Sequence, residues 1–400
     1  MRFPEFSGEW KKVNVSKLLD FYSTNSLSWE QLDYNNGKIK NLHYGLIHKG
    51  LSTMIDVFSA SLPYIKEGTI PKSYTLFKEG DVAFADASED TNDVAKAIEV
   101  INCDGQQIVS GLHTIHGRDN SNQTVIGYKG YAFASDSFHK QIRRIAQGTK
   151  VFSISIRNFD EVYIGVPSKD EQTKIAKLLI AIDERIATQN KIIERYESLI
   201  RGINQYAFTN TGINYKLGEI CEIRSGYSGN QLTLKNGLKV SRIETISGHK
   251  VNMERVGYVA PFESSENYRL QIGDILFSNI NSVEYIGNTA FIDKDYNLYH
   301  GMNLLRLIPK KELVMPFYLY LVLNTNRLLN HFKTVCNKAV SQASINQTEL
   351  GKTIVRIPNL MNQNRICELF QTLYTKLEAE RYFISLLQDQ KQHLLRQMFI

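Results

Sequence analysis

The chain has 400 residues, 42% hydrophobic and 22% charged, with 47 Lys and Arg against 41 Asp and Glu for a net charge of +6. That is an ordinary globular composition, long enough for two or three domains, and its modest basic excess permits a nucleic-acid partner without demanding one. The longest apolar runs, LLIAI and MPFYLYLVL, are too short for the roughly 20 residues of a membrane span, and MRFPEFSGEW lacks the apolar stretch of a signal peptide. Cys103, Cys221, Cys336 and Cys367 are widely spaced and form no CxxC pair, so reduced, buried thiols and a cytoplasmic location are expected.

The chain opens with short strands separated by polar loops such as YNNGK and GRDNSNQ. GDVAF (Gly80 to Phe84) is a Gly-Asp turn leading into a strand expected to be half-buried. EVYIGVP is a strand stopped by Pro167. A long amphipathic helix follows, with Ile175, Leu179, Ile182, Ile186, Gln189, Ile193, Tyr196, Ile200, Ile203 and Ala207 at steps of three and four. After the loop RSGYSGNQ the pattern returns. GDILF (Gly273 to Phe277) matches GDVAF, KTIVRIP is a strand stopped by Pro358, and a second helix carries Ile366, Phe370, Leu373, Leu377, Glu380, Ile384, Leu387, Lys391, Leu394 and Met398.

The two halves are copies. Pro167 and Pro358 are 191 positions apart (358 − 167), and the same offset relates Ser153-Ile154 to Ser344-Ile345, Gln172 to Gln363, Ile175 to Ile366 and Phe208 to Phe399. The predicted fold is therefore α+β: residues 1–166 and 211–357 form two globular heads, and residues 167–210 and 358–400 form two long helices. Such a stripe also suits an ordinary core. At 1.5 Å per residue, however, about 40 residues make a rod of about 60 Å, and two such rods most economically bury their stripes on each other, antiparallel, as a coiled-coil spacer. Gln189 and Glu380 interrupt the two stripes at equivalent places and are expected to meet near the rod midpoints.

Motifs of catalysis are missing. There is no PP pair for an adenine methyltransferase, no GxGxxG after a strand, no GxxxxGK[ST] and no GxSxG. His113 and His116 in GLHTIHG have no metal-site partner, and tripeptides such as Glu9-Trp10-Lys11 arise by chance. What remains is two similar heads on a spacer, a layout suited to reading two things a fixed distance apart.

The residues RFPEFSGEW, NLHYGLIHKG, FADASEDTND, GLHTIHGRDN and the twice-used SI…VP…DEQTKIAKLL and SI…IP…NQNRICELF resemble the specificity (S) subunit of type I restriction–modification enzymes across the whole chain. Asn362 stands where that family usually has Glu. The resemblance implies two target-recognition domains, each reading half of a bipartite, asymmetric DNA sequence. It also implies a helical ruler that docks two methyltransferase (M) subunits, to which endonuclease/translocase (R) subunits attach. S-adenosylmethionine, ATP and Mg²⁺ would serve those partners, and this chain would hold no cofactor or metal and have no catalysis of its own.

Double-stranded DNA requires donors, acceptors and cations on loops. The candidates are Asn25, Lys38, Asn41, His43, Tyr44, Ser88, His113, Arg118, Asn120 and Lys150 in the first head. In the second they are Ser225, Tyr227, Ser228, Asn230, Gln231, Arg242, Asn279, Asn281, Asn303, Lys338, Ser341 and Gln342. Asn and Ser also serve turns, Asp86, Glu89 and Asp90 also suit a solvated acidic loop, and Tyr44 and Tyr131 also suit a core. Two other readings are a fused restriction endonuclease and a coiled-coil adaptor for protein or glycan.

Overall fold

The computed structural model describes residues 2–103, 105–208, 212–233, 236–338 and 342–399. The chain divides into two compact units, Met1–Lys191 with Arg381–Ile400, and Ile192–Glu380. Both are mixed α/β, and the halves share one plan.

In the first unit, strand Lys11–Asn14 pairs antiparallel with Tyr163–Val166, tying the start of the head to its end. Between them lies a five-stranded sheet in the spatial order Asp20–Tyr22, Thr114–Arg118, Val82–Ala85, Ala97–Ile101, Met54–Asp56. A four-stranded sheet runs Gln107–Ser110, Ile39–Leu42, Tyr64–Ile65, Leu32–Asp33. Alternation along Val82–Ala85 explains the five-stranded sheet's place. Val82 and Phe84 enter a core with Phe133, Phe138 and Phe159, whereas Ala83 and Ala85 enter a second core with Leu42, Ile47 and Val57. All four residues are buried. The half-buried strand expected from sequence is thus a fully buried one, because both faces of the sheet are covered.

The second unit repeats the scheme. Ile213–Lys216 pairs with Ile354–Ile357. A four-stranded sheet follows the order Cys221–Ser225, Leu304–Pro309, Ile275–Ser278, Thr289–Phe291. Ile275 and Phe277 face one core with Tyr318 and Phe332, and Leu276 faces another with Ile246 and Leu270.

Two short sequence repeats have direct structural causes. Gly80 (φ +84°) and Gly273 (φ +99°) adopt the left-handed conformation that opens the turn. The next residue closes it: Asp81 accepts from the Lys78 backbone N–H at 2.8 Å, and Asp274 from that of Gln271 at 2.6 Å. The second case is the glutamine at the start of each long helix. Gln172 is fully buried; its Nε2 donates to the carbonyls of Pro167 (2.9 Å) and Gln123 (3.1 Å), and its Oε1 accepts from Val125 N–H at 2.9 Å. Gln363 does the same with Pro358, Leu313 and Met315, at 2.8, 3.1 and 2.8 Å. A single amide therefore joins the helix start to a loop of its own head.

The long helices span Lys169–Ala207 and Leu360–Gln397, 39 and 38 residues. Ile175, Leu179, Ile182 and Gln189 are buried along the first, with Ile186 and Ile193 half-buried. Phe370, Leu373 and Leu377 are buried along the second, with Ile366, Glu380 and Ile384 half-buried. Within the first unit the end of the second helix runs antiparallel to the first. Arg185 lies over the Phe383 ring, Asp183 bonds Lys391 at 2.6 Å, and Leu394, Met398 and Phe399 join the core of Ile175 and Leu179. Within the second unit Phe208, at the end of the first helix, packs on Phe370 and Tyr318. The four cysteines are buried and unbridged. No helix among the described residues is long and apolar enough to cross a membrane.

Candidate nucleic-acid interface

Three strand ends converge at one edge of the first unit's five-stranded sheet. Strand Val82–Ala85 ends at Asp86, strand Thr114–Arg118 begins after His113, and strand Asp20–Tyr22 leads into Thr24, Asn25 and Ser26. Together they line an open cleft of ≈ 510 Å³ with Leu27, Thr69, Pro71 and Leu112. Antiparallel pairing of Ala85 with Thr114 places Asp86 beside His113. The Asp86 backbone N–H donates to the His113 carbonyl (3.1 Å), and the His113 Nδ1 lies 3.1 Å from Asp86 Oδ1. Burial raises the Asp86 carboxyl above its ordinary pKa, opposed by His113. The Tyr44 ring meets that of His113 edge-on at 5.2 Å. Ser88 belongs to a strand paired with Phe152–Ser153, and the tight turn behind that strand exposes Lys150. Only glycine fits this turn at position 148: φ is +141°, and an added Cβ would lie 1.9 Å from the Val151 carbonyl oxygen.

The second unit builds the same edge from different side chains. Asn279 follows strand Ile275–Ser278 as Asp86 follows Val82–Ala85, and Asn303 precedes Leu304–Pro309 as His113 precedes Thr114–Arg118. His113 and Asn303 both adopt left-handed backbone, at φ 53° and 63°. The carbonyls of Asp86 and Asn279 accept from Ile154 and Ile345 N–H respectively, at 2.9 Å in both units. Ser225 and Tyr227 run beside this edge, and Asn281, Lys338 and Gln342 border a three-stranded sheet next to it. Tyr227 stacks on Phe262 at 3.8 Å. Ser341 lies outside the described residues.

Other candidates are committed elsewhere. Asn41 is wholly buried and donates to Asn25, which itself donates to the Ser110 carbonyl. His43 is buried and caps the helix Tyr44–His48 by accepting from Gly45 N–H; burial lowers its pKa to about 4. Arg118 stands at the opposite end of its strand and grips Asp81 through Nε (2.8 Å) and Nη2 (2.6 Å). Burial pushes the Asp81 carboxyl up, but bonds from His116 and Arg118 outweigh it and hold the group below its ordinary value. Asn41 and His43 are therefore buried away from any ligand, and Arg118 is turned inward onto Asp81. Asn120 is exposed but bonds Asp20 and Tyr22. Lys38, Ser228, Asn230, Gln231 and Arg242 are exposed; Gln231 bridges to Val259 and Arg242 lies 3.5 Å from Glu244.

Sequence reasoning passed over several polar and aromatic groups. Trp29 is 40% exposed, with Lys49 over its ring. In the second unit Arg224, Ser264, Asn267, Tyr268, His300, Arg306 and Gln347 join Ser225 in a cleft of ≈ 420 Å³. Arg306 pairs there with buried Asp274 at 2.7 Å. No local pattern marks these positions, because elements distant in sequence bring them together. Among the described residues no three His, Cys, Asp or Glu are placed to hold a metal. The edges offer amides, hydroxyls, an imidazole and lysines, which suit base edges and phosphates.

Residues 213–383 match the family model of the type I restriction modification DNA specificity domain. Among curated proteins, the chain is 38% identical over 188 residues to a putative type I restriction enzyme MjaX specificity subunit of Methanocaldococcus jannaschii, covering 46% of this chain and 44% of that one. It is 21% identical over 272 residues to the type I restriction enzyme EcoKI specificity subunit of Escherichia coli, covering 62% and 58%. The chain thus spans about half the length of these curated relatives. Its fold is similar to that of the type I restriction–modification S subunit from M. genitalium (TM-score 0.58, 16% identity, 100% of this chain and 99% of that one). It is also similar to a chain from a structure of type I R-M system assembly (TM-score 0.61, 17% identity, 98% and 97%).

Proposed function

We propose that this chain is a specificity subunit of the type I restriction–modification family and that it recognises a bipartite, asymmetric duplex DNA sequence, one half per unit. The carrying observation is the repeated strand-end edge: one backbone frame presents His113 and Asp86 in the first unit, and Asn303 and Asn279 in the second. A common frame with different polar side chains suits two readers of different sequences. Lys150 and Lys338, exposed beside these edges, suit phosphates, which position the reader without reading sequence.

The two long helices would set the unread gap and dock two methyltransferase subunits, through which endonuclease/translocase subunits join. S-adenosylmethionine, ATP and Mg²⁺ would bind those partners, and the chain itself would recognise without catalysing. The test is selection from randomised duplexes with the full chain, alone and with its methyltransferase subunit. The expected result is two short motifs separated by a fixed gap. Replacing residues 212–357 with the matching segment of a relative should change one motif only. A single contiguous motif, or both halves changing together, overturns the proposal.

A further inference from the structure

His113 combines three features found together nowhere else among the described histidines. Its backbone is left-handed (φ 53°), which a non-glycine residue adopts only when its surroundings impose it. Its side chain, half exposed, lines the open cleft. Its ring is nevertheless fixed, by Asp86 Oδ1 3.1 Å from Nδ1 and by the edge-on Tyr44 ring. An exposed imidazole held on two sides is pre-organised for contact with something in that cleft.

We infer that His113 reads a base and that Asp86 positions it; the inference rests on the DNA-reading function proposed above. An ionised carboxylate only accepts hydrogen bonds, so Nδ1 carries the hydrogen of the neutral ring. Nε2 is then an acceptor. In a major groove, an acceptor pairs with an exocyclic amine, which adenine N6 and cytosine N4 supply and guanine and thymine lack. His113 therefore selects an amino base, adenine or cytosine, at one position of one half-site. The equivalent Asn303 carries both donor and acceptor and suits adenine N6 and N7 together, so the two units read by different rules from one place in the frame.

The test is randomised-duplex selection with the full-length protein and three variants. Wild type should restrict one position to A or C. His113→Ala should relax that position alone, by roughly tenfold in discrimination, while the salt dependence of DNA affinity stays unchanged because no phosphate contact is lost. His113→Asn, which tolerates left-handed backbone, should narrow the same position to A. Asp86→Asn can donate to Nδ1 and so reverse the tautomer; Nε2–H then needs an acceptor, so that position should lose C and admit G and T, with A retained through N7. Retention of the wild-type motif by His113→Ala overturns the inference, as does blurring of every position in the half-site, the mark of a merely structural role. A wild-type protein that selects no motif overturns the DNA-reading function itself.

Discussion

Truncating Gln172 is the sharpest probe of how the frame is held. The side chain is fully buried and serves three backbone groups: the carbonyls of Pro167 and Gln123 and the N–H of Val125. Gln172→Ala leaves all three without that partner. An unpaired buried polar group costs about 1–3 kcal/mol, and water entering the vacated space recovers part of it. The expected loss is roughly 3–6 kcal/mol, a large share of the 5–15 kcal/mol that ordinarily stabilises a domain. Gln172→Glu should be no better, since it exchanges the donor for an oxygen facing two carbonyls. Both tryptophans, Trp10 and Trp29, lie in the first unit, and Trp10 Nε1 donates to Glu171, the residue beside Gln172. Tryptophan fluorescence in a urea titration thus reports this unit. At a slope of about 2 kcal/mol per M, the midpoint should fall by about 1.5 M or more. Gln363→Ala should produce a similar loss in the second unit, followed by far-UV circular dichroism. Exposed Lys177→Ala is the control, within about 0.5 kcal/mol of wild type. A Gln172→Ala midpoint indistinguishable from that control would refute the reasoning.

Further outcomes follow from the same contacts. His300 is buried, its Nε2–H donates to the Leu304 carbonyl, and burial lowers its pKa to about 4. Between pH 6.5 and 4 the unfolded chain therefore takes up a proton that the folded one refuses. Stability should fall with pH across that window, by roughly 2–3 kcal/mol at pH 4.5, and urea titrations at pH 7 and 4.5 should show a smaller drop for His300→Gln. Lys391 joins Asp183, itself an acceptor for Tyr131 Oη–H; Lys391→Ala should destabilise the first unit by about 2–4 kcal/mol, read by tryptophan fluorescence, and an unchanged midpoint would count against the pair. Inserting four residues into a long helix adds about 6 Å, and duplex selection should then return a gap wider by one or two base pairs; an unchanged gap in a folded, binding variant would sink the ruler.

Much of the frame was legible because burial imposes periods that the sequence must obey. The helix stripes, the proline stops and the Gly-Asp turns all satisfy local geometry, so each shows in a window of a few residues. The interface was legible only in part. Asn41, His43, Arg118 and His113 are of the same polar kinds, within or beside short strands. What separates them is a partner distant in sequence: Asp81 takes Arg118 inward, and Asn25 absorbs Asn41, while Asp86 holds His113 at the cleft. Side-chain direction set by long-range pairing has no local signature. Asp86 read as a solvated acid for the same reason, since its meaning depends on a strand 27 residues later.

The two halves also differ in a way that bears on how one frame serves two readers. Two buried side chains that answer to backbone are kept in both copies. Gln172 and Gln363 bond carbonyls and an N–H, and Asp81 and Asp274 cap the N–H of their own turns. A backbone group does not change when its residue is substituted, so the demand on the glutamine and aspartate facing it is the same in both units. Where the partner is another side chain, the copies part company. Asp81 meets His116 and Arg118, whereas Asp274 pairs with Arg306. Lys391 and Asp183 form an ion pair in one unit, while the matching positions in the other are Ile200 and Tyr374. Paired side chains can change together at little cost if size and polarity still match. His113 with Asp86 belongs to this second class, whereas Asn279 at the matching place donates to the Ile345 carbonyl. In the first unit the edge proposed to read DNA is thus built on a side-chain pair, on a strand whose opening turn is held by backbone contacts.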